Sequence, residues 1–259
     1  MATYLLKKSY QLKDLREIKF KDLWGDHGIF TTMWIFNKPA KILFFDSHIS
    51  NLIKSLKIYG IKKKSLKKDI LNLINKNLIK NKKYNHLLRV ALNKKIISIS
   101  LRKRIKPKLN FDLKLVNLKR EKPQYKNLKY KKILSYLSKM DNSRSDIGLV
   151  SNKKIFETGT SNLLFVKDKK FFTPKKNYYQ GNTFKYFKTK IKRIIKKDIF
   201  IKELNTYDEI ILIGSGKGVA SVKTIKDINW KRKNLNQFNI LSNYYNSAIK
   251  NCNLYKFYQ

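Results

Sequence analysis

The 259-residue sequence predicts an α+β protein of two domains, on three observations. Hydrophobic residues make up 42% of the chain, enough for a real core and too many for a disordered polycation. β-rich runs and helical patterns mix without the strict βαβ alternation that a doubly wound parallel sheet needs. Residues 102–110 (R-K-R-I-K-P-K-L-N) are basic, carry a proline and lack periodicity, which marks a boundary. The reading sets a smaller domain at 1–106 and a larger one at 107–259.

In the first half, residues 29–36 (I-F-T-T-M-W-I-F) and 41–45 (K-I-L-F-F) are rich in β-branched and aromatic residues and read as strands, with Asn37-Lys38-Pro39 as the turn between them. Asp46 or Ser47 can cap a helix over 47–58, with Ile49, Leu52, Ile53 and Leu56 on one face. Ser65 can cap a second, carrying Ile70, Leu71, Leu73, Ile74 and Leu78. Strands near 86–92 and 95–101 follow. The second half opens with a strand near 111–117 and a helix over 127–139 that carries Leu128, Leu134 and Leu137. Strands near 147–151, 162–167 and 170–172 lead to a basic helix at 183–196, with Phe184, Phe187, Ile191 and Ile194–Ile195 as its apolar stripe. A strand at 209–213 runs into G-S-G-K-G-V, and a last helix covers 234–250.

The charge is extreme: Lys+Arg 60 against Asp+Glu 17, a formal +43. Only eight of these cations are Arg, the residue suited to bidentate phosphate and base contacts. The lysines spread over nearly every segment, and Lys, Asn, Ile, Tyr and Phe are abundant together, as an AT-rich coding bias produces. Such a field draws in small anions and binds nucleic acid only non-specifically. Cys252 is the single cysteine, which excludes an intrachain disulfide and a cysteine metal site. His27, His48 and His86 lie far apart without ligand spacing, so no metal is expected. The start M-A-T-Y-L-L-K-K-S-Y lacks a signal-peptide core and no apolar run is long enough to span a membrane, so a reducing cytoplasm is the simplest setting.

Chemistry concentrates at 157–184: E-T-G-T-S-N-L-L-F-V, then Thr173-Pro174, then G-N-T-F at 181–184. A carboxylate among small residues can pair with a protonated ring nitrogen, and a Gly-x-Thr at a helix start can hold a phosphate. Together they suit a flat, phosphorylated heteroaromatic cofactor. The run at 213–222 (I-G-S-G-K-G-V-A-S-V) invites a P-loop reading and fails it, because Gly218 follows Lys217 where Ser or Thr is required.

On these residues the chain resembles the class IV (fold-type IV) pyridoxal-phosphate enzymes, which include branched-chain and D-amino acid aminotransferases and 4-amino-4-deoxychorismate lyases. The resemblance covers about Gly25 to Val222 and is strongest over 157–183. It implies a D-aminotransferase-like α+β fold, pyridoxal 5'-phosphate in an interdomain cleft, and a homodimer. It places the Schiff-base lysine some thirty residues ahead of the Glu, in a Lys-x-Leu context before a helix. Lys126 fits, in Tyr125-Lys126-Asn127-Leu128 and 31 positions before Glu157; Lys129 competes, but Lys131 stands where Leu is wanted. Glu157 is then the partner of the pyridine nitrogen, and Asn182, Thr183 and Ser215 are phosphate contacts. His27-Gly28-Ile29-Phe30-Thr31-Thr32-Met33 matches the N-terminal block, and its Phe-Thr-Thr looks like the lyases, where aminotransferases usually have Glu after the Phe.

The chain departs from the pattern in several places. Asn51, in His48-Ile49-Ser50-Asn51-Leu52, occupies the position of a phosphate-binding Arg, with Lys54 one turn on as a substitute charge. His27 replaces an Asp, Trp34 stands where Arg often follows, and Asn182 and Phe184 replace the aliphatic residue and Arg of a Gly-Ile-Thr-Arg motif. The resemblance implies a lyase forming 4-aminobenzoate and pyruvate for folate synthesis, with Thr31 and Thr32 lining the site and Arg102 and Arg104 as cations for a dicarboxylate substrate. An amino acid aminotransferase is the alternative, and a degenerate member of the fold acting as a basic RNA-binding protein is a further one.

Overall fold

The computed structural model describes residues 3–257 and divides into two compact units. The first comprises the chain to Arg104, residues 125–131 and the segment from Asn251; the second comprises Ile105–Gln124 and Lys132–Lys250.

In chain order the first unit contains β1 (Tyr4–Gln11), β2 (Glu17–Ile18), β3 (Gly28–Asn37), β4 (Lys41–Ile42), α1 (Phe45–Ile58), α2 (Leu66–Asn77), β5 (Tyr84–Asn93) and β6 (Ile96–Lys103). Its strands form one antiparallel sheet in the order β2-β1-β6-β5-β3-β4. The period-2 alternation sends Ile29, Met33, Ile35, Leu88, Val90, Leu92, Ile97, Ile99 and Leu101 to one face. There they form a core with Ile49, Leu52 and Leu56 of α1 and Ile70, Leu73 and Ile74 of α2. On the opposite face Phe30 and Ala91 pack with Leu23 and Leu128, flanked by Trp24 and Tyr130. Asn93 shapes the β5–β6 turn, its Oδ1 accepting the amides of Lys95 and Ile96. β1 was not anticipated as a strand. It pairs with β6 and places Tyr10 in the core. α1 starts earlier than expected, after Phe44 in a left-handed conformation and with no side-chain cap, so neither Asp46 nor Ser47 serves as its N-cap.

The second unit holds β7 (Asn110–Asn117), β8 (Ser145–Ser151), β9 (Lys154–Thr158), β10 (Asn162–Lys167), β11 (Lys170–Pro174), α4 (Asn182–Lys190), β12 (Ile194–Lys197), β13 (Glu209–Gly214), β14 (Gly218–Ile225), β15 (Trp230–Lys231) and α5 (Asn236–Lys250); α3 (Lys131–Leu137) begins at the last residue of the 125–131 segment. The sheet runs β12-β11-β10-β13-β14-β7-β8-β9, with β15 added to β14. Its parallel pairs are β11–β12, β14–β7 and β7–β8. Phe111, Leu163, Phe165, Ile210, Leu212 and Val222 form its core with Tyr207 and Trp230.

Two expected helices are shorter than read. Residues 125–130 are not helical, and α3 covers only Lys131–Leu137. The Asn127 side chain accepts the Lys129 amide, a local bond that competes with a helix, and Gly28–Phe30 of β3 engage this segment's backbone. The basic helix ends at Lys190 because β-branched Ile191 is extended, and Ile194 and Ile195 join the sheet opposite Phe171 and Phe172. No helix of the described residues is long and apolar enough to cross a membrane.

Candidate active site

In the first unit the residues around Lys126 are held by β3. The Phe30 amide donates to the Lys126 carbonyl, the Leu128 amide to the Gly28 carbonyl, and Ile29 bridges Asn127 in antiparallel fashion. Gly28 is required at this crossing, since a Cβ there would lie 2.1 Å from the Leu92 carbonyl oxygen and 2.8 Å from Leu128 Cδ1. Lys126 is half-buried, with its Nζ 5.1 Å from the centre of the Phe30 ring; Lys129 is exposed. The two lysines therefore differ in burial.

Thr31 is buried and its hydroxyl lies 2.7 Å from Nδ1 of buried His48, a bond that ties β3 to α1. Thr32 is half-buried and sits opposite Arg89, on the strand face that Phe30 shares. Arg89 is buried, ion-paired to Asp22 and stacked under Trp24. Arg102 is half-buried; burial and the neighbouring Arg89 charge push its guanidinium below its ordinary pKa, opposed by Tyr4 and Tyr130. Arg104 lies 4.0 Å over the Trp34 ring. Asn51 is half-buried on α1 and Lys54 is exposed.

In the second unit Glu157 is buried, the next-to-last residue of β9 before a tight Thr158–Ser161 turn. Arg120 forks onto it, Nε donating to Oε1 at 2.7 Å and Nη2 to Oε2 at 3.1 Å, and the Tyr179 amide adds a longer bond to Oε2 at 3.3 Å. Arg120 is held in turn by the Pro123 carbonyl at 2.8 Å. Burial pushes the phenols of Tyr178 and Tyr179 up. At Tyr179 the Arg120 charge opposes this; at Tyr178 the Thr173 hydroxyl opposes it and Glu157 reinforces it.

Asn162 brings the other expected contacts to one place. Its Oδ1 accepts the Gly181 amide at 3.0 Å, its Nδ2 donates to the Tyr179 carbonyl at 2.5 Å, and its backbone pairs with Ile213. Its side chain thus holds the start of α4, while its backbone is paired to the end of β13, two residues before Ser215. The backbone at Gly214 presses on Thr160 and Ser161, with the position of a Cβ 3.0 Å from Ser161 Oγ. α4 starts after Gly181 with no side-chain cap, Asn182 and Thr183 are buried in its first turn, and the Thr183 hydroxyl is buried without a hydrogen-bond partner. Ser215 is half-buried in the turn after β13. An uncapped helix start beside an unsatisfied buried hydroxyl suits an anion, and a buried carboxylate suits a cationic ring nitrogen. The residues present thus fit pyridoxal phosphate.

The chain belongs to the amino-transferase class IV family, whose sequence model matches residues 28–225. Enzymes of this family depend on pyridoxal phosphate. The fold is similar to that of a branched-chain aminotransferase from Thermoproteus uzoniensis, with TM-score 0.74 and 16% identity over 94% of this chain and 95% of that one. A Legionella pneumophila protein provisionally named 4-amino-4-deoxychorismate lyase gives TM-score 0.68 and 17% identity over 86% and 91%. The Thermobaculum terrenum branched-chain aminotransferase, solved in its pyridoxal-phosphate form, gives 0.72 and 13% over 94% of each chain. No curated protein matches the sequence.

Sequence reasoning missed Arg120, Asn162 as an organiser, and Tyr179. Arg120 sits in a K-R-E-K run that reads as a solvated face. The available signal was its being one of eight Arg in a chain that otherwise uses Lys.

Proposed function

We propose that this chain is a pyridoxal-phosphate-dependent 4-amino-4-deoxychorismate lyase, releasing pyruvate and leaving 4-aminobenzoate. The observation that carries the cofactor reading is the second unit's arrangement of buried Glu157 beside the uncapped α4 start and the unsatisfied Thr183 hydroxyl. The lyase preference rests on Phe30-Thr31-Thr32. The residue after the Phe is a hydroxyl committed to His48 rather than a carboxylate.

Bound pyridoxal phosphate supplies an aldehyde for amines and an electron sink for negative charge at the amine-bearing carbon. Lys126 Nζ is the amine that would hold the cofactor aldehyde and, when free, would take the proton from the amine-bearing ring carbon. Glu157, backed by the Arg120 fork, holds the proton on the pyridine nitrogen. Thr183, the first-turn amides of α4 and Ser215 take the phosphate. Arg102 and Arg104 attract the substrate carboxylates, and Thr32 contacts the ring. Loss of the enolpyruvyl group is driven by aromatisation. A homodimer, as the family resemblance implies, is part of this reading.

The experiment adds pyridoxal phosphate, reduces the adduct with borohydride and maps the labelled peptide. Label on Lys126, abolished in Lys126→Ala and kept in Lys129→Ala, is expected; label on another lysine refutes the assignment. Appearance of 4-aminobenzoate from aminodeoxychorismate then decides the reaction. The second reading, an amino acid aminotransferase, is favoured by the higher TM-scores of the branched-chain enzymes, and transamination without 4-aminobenzoate would establish it.

A further inference from the structure

Close in sequence to Ser215 lies an ion pair that the reaction does not use. Asp146, at the start of β8, is fully buried. Its Oδ2 accepts the hydroxyls of Thr158 at 2.9 Å and Thr160 at 2.7 Å and meets the Lys217 ammonium at 3.2 Å; its Oδ1 accepts the Ile147 amide at 2.8 Å. Lys217 lies in the turn between β13 and β14, where a lysine could extend into water. Instead its ammonium reaches Asp146 and lies 4.9 Å over the Phe111 ring. Among the described residues it is the one buried lysine, in a chain with 52 of them. Desolvating both charges opposes folding, and an apolar pair of like volume often serves stability as well. A buried lysine here therefore points to a positional task.

The neighbours define that task. Thr158, Thr160 and Ser161 form the turn between Glu157 and Asn162, and the Thr158 hydroxyl also accepts the Ser161 amide at 2.8 Å. Asn162 in turn fixes Gly181 at the start of α4. Lys217 is two residues beyond Ser215, and Gly218 after it has φ +71° with its Cα against the Tyr245 ring, where a Cβ would come within 2.6 Å. Asp146 thus grips the Glu157–Asn162 turn with two hydroxyl bonds and the Ser215 turn with one ion pair. We propose that the Asp146–Lys217 pair is a brace that sets the Ser215 turn against the Glu157–Asn162 turn and so determines affinity for the phosphate of the cofactor. Both are positioning residues, and the inference rests on the cofactor reading above.

The test titrates wild type, Asp146→Asn, Lys217→Met and the double variant with pyridoxal phosphate and, separately, with pyridoxal, which lacks the phosphate, following absorbance. The brace predicts that both single variants lose affinity for pyridoxal phosphate by on the order of tenfold or more, as outer-shell partners do when they orient ligating groups. Affinity for pyridoxal stays at the wild-type level. The double variant leaves no unpaired buried charge, so it folds and shows the same selective loss. Wild-type affinity in Lys217→Met overturns the brace. So does equal loss of both ligands. Tighter binding by Asp146→Asn with weaker binding by Lys217→Met also overturns it, since Lys217 would then contact the phosphate itself. Failure of wild type to bind pyridoxal phosphate is a different result: it refutes the functional reading, and this inference with it.

Discussion

Replacing Arg120 with Met tests the centre of the second unit. Arg120 and Glu157 side chains are 5% and 8% exposed, so the fork at 2.7 and 3.1 Å operates far from bulk water. Removing one member of a buried pair leaves an uncompensated charge, at a cost of about 3–5 kcal/mol. The lost bond to the Pro123 carbonyl adds about 1 kcal/mol. Against a total stability of about 5–15 kcal/mol this is a large fraction. At about 2–4 °C per kcal/mol for chains near this size, the midpoint falls by roughly 8–24 °C. Arg120→Met/Glu157→Gln removes both charges and keeps an acceptor for the Tyr179 amide, so it recovers most of the loss. Arg120→Lys keeps the charge without the fork and falls between. Urea unfolding followed by far-ultraviolet circular dichroism gives all four free energies. A single variant within 1 kcal/mol of wild type, or a double variant no better than the single, would refute the argument.

Three further outcomes follow from the same geometry. Gly28→Ala forces a methyl group into the Leu92 carbonyl and Leu128, and is expected to lower stability by about 2–4 kcal/mol and weaken protection of the 126–128 amides in hydrogen exchange. His86 is held below its ordinary value of 6.5 by burial and by the charges of Lys82 and Lys103. The unfolded chain therefore takes up the proton first: the contribution of His86 is intact above that value and is lost as pH falls toward the lowered native pKa. The stability difference between wild type and His86→Gln should shrink over that window, and a flat difference would contradict it. Finally, the surface charge predicts RNA binding without sequence preference that weakens by orders of magnitude between about 50 and 200 mM salt, measured by filter binding on unrelated oligonucleotides. Salt-insensitive or sequence-selective binding would count against it.

Much of the architecture was legible because hydrophobic period reports directly on burial. β3 read correctly from its β-branched and aromatic run, and α1 and α2 from their apolar stripes. Misreadings arose where tertiary pairing overrides local pattern. Residues 125–130 have helix-compatible composition, yet β3 claims their backbone and Asn127 bonds locally. Glu157 and Thr183 could be picked out as candidates from the 157–184 motifs, and Lys126 through the family resemblance. Arg120 and Asp146 could not, because their roles depend on partners 37 residues away in one case and on the Thr158, Thr160 and Lys217 contacts in the other.

In a chain of +43 the lysines carry little information and the acids carry a great deal. Among the described residues four acids are buried, and each organises backbone or a cation. Asp69 takes the Ser65 hydroxyl and the Lys63 ammonium at the start of α2. Glu209 receives the amides of Gln237 and Phe238 at the start of α5, while burial still pushes its carboxyl above the ordinary range. Asp146 accepts the hydroxyls of Thr158 and Thr160, and Glu157 the Arg120 fork and the Tyr179 amide. A drift toward lysine costs little on a solvated face, where a further cation is screened over about 8–10 Å. The same drift at a buried carboxylate would strand a charge or reverse it. These buried acids are therefore ones whose loss the fold would not absorb, and two of them, Asp146 and Glu157, lie in or against the turn proposed above to hold the cofactor.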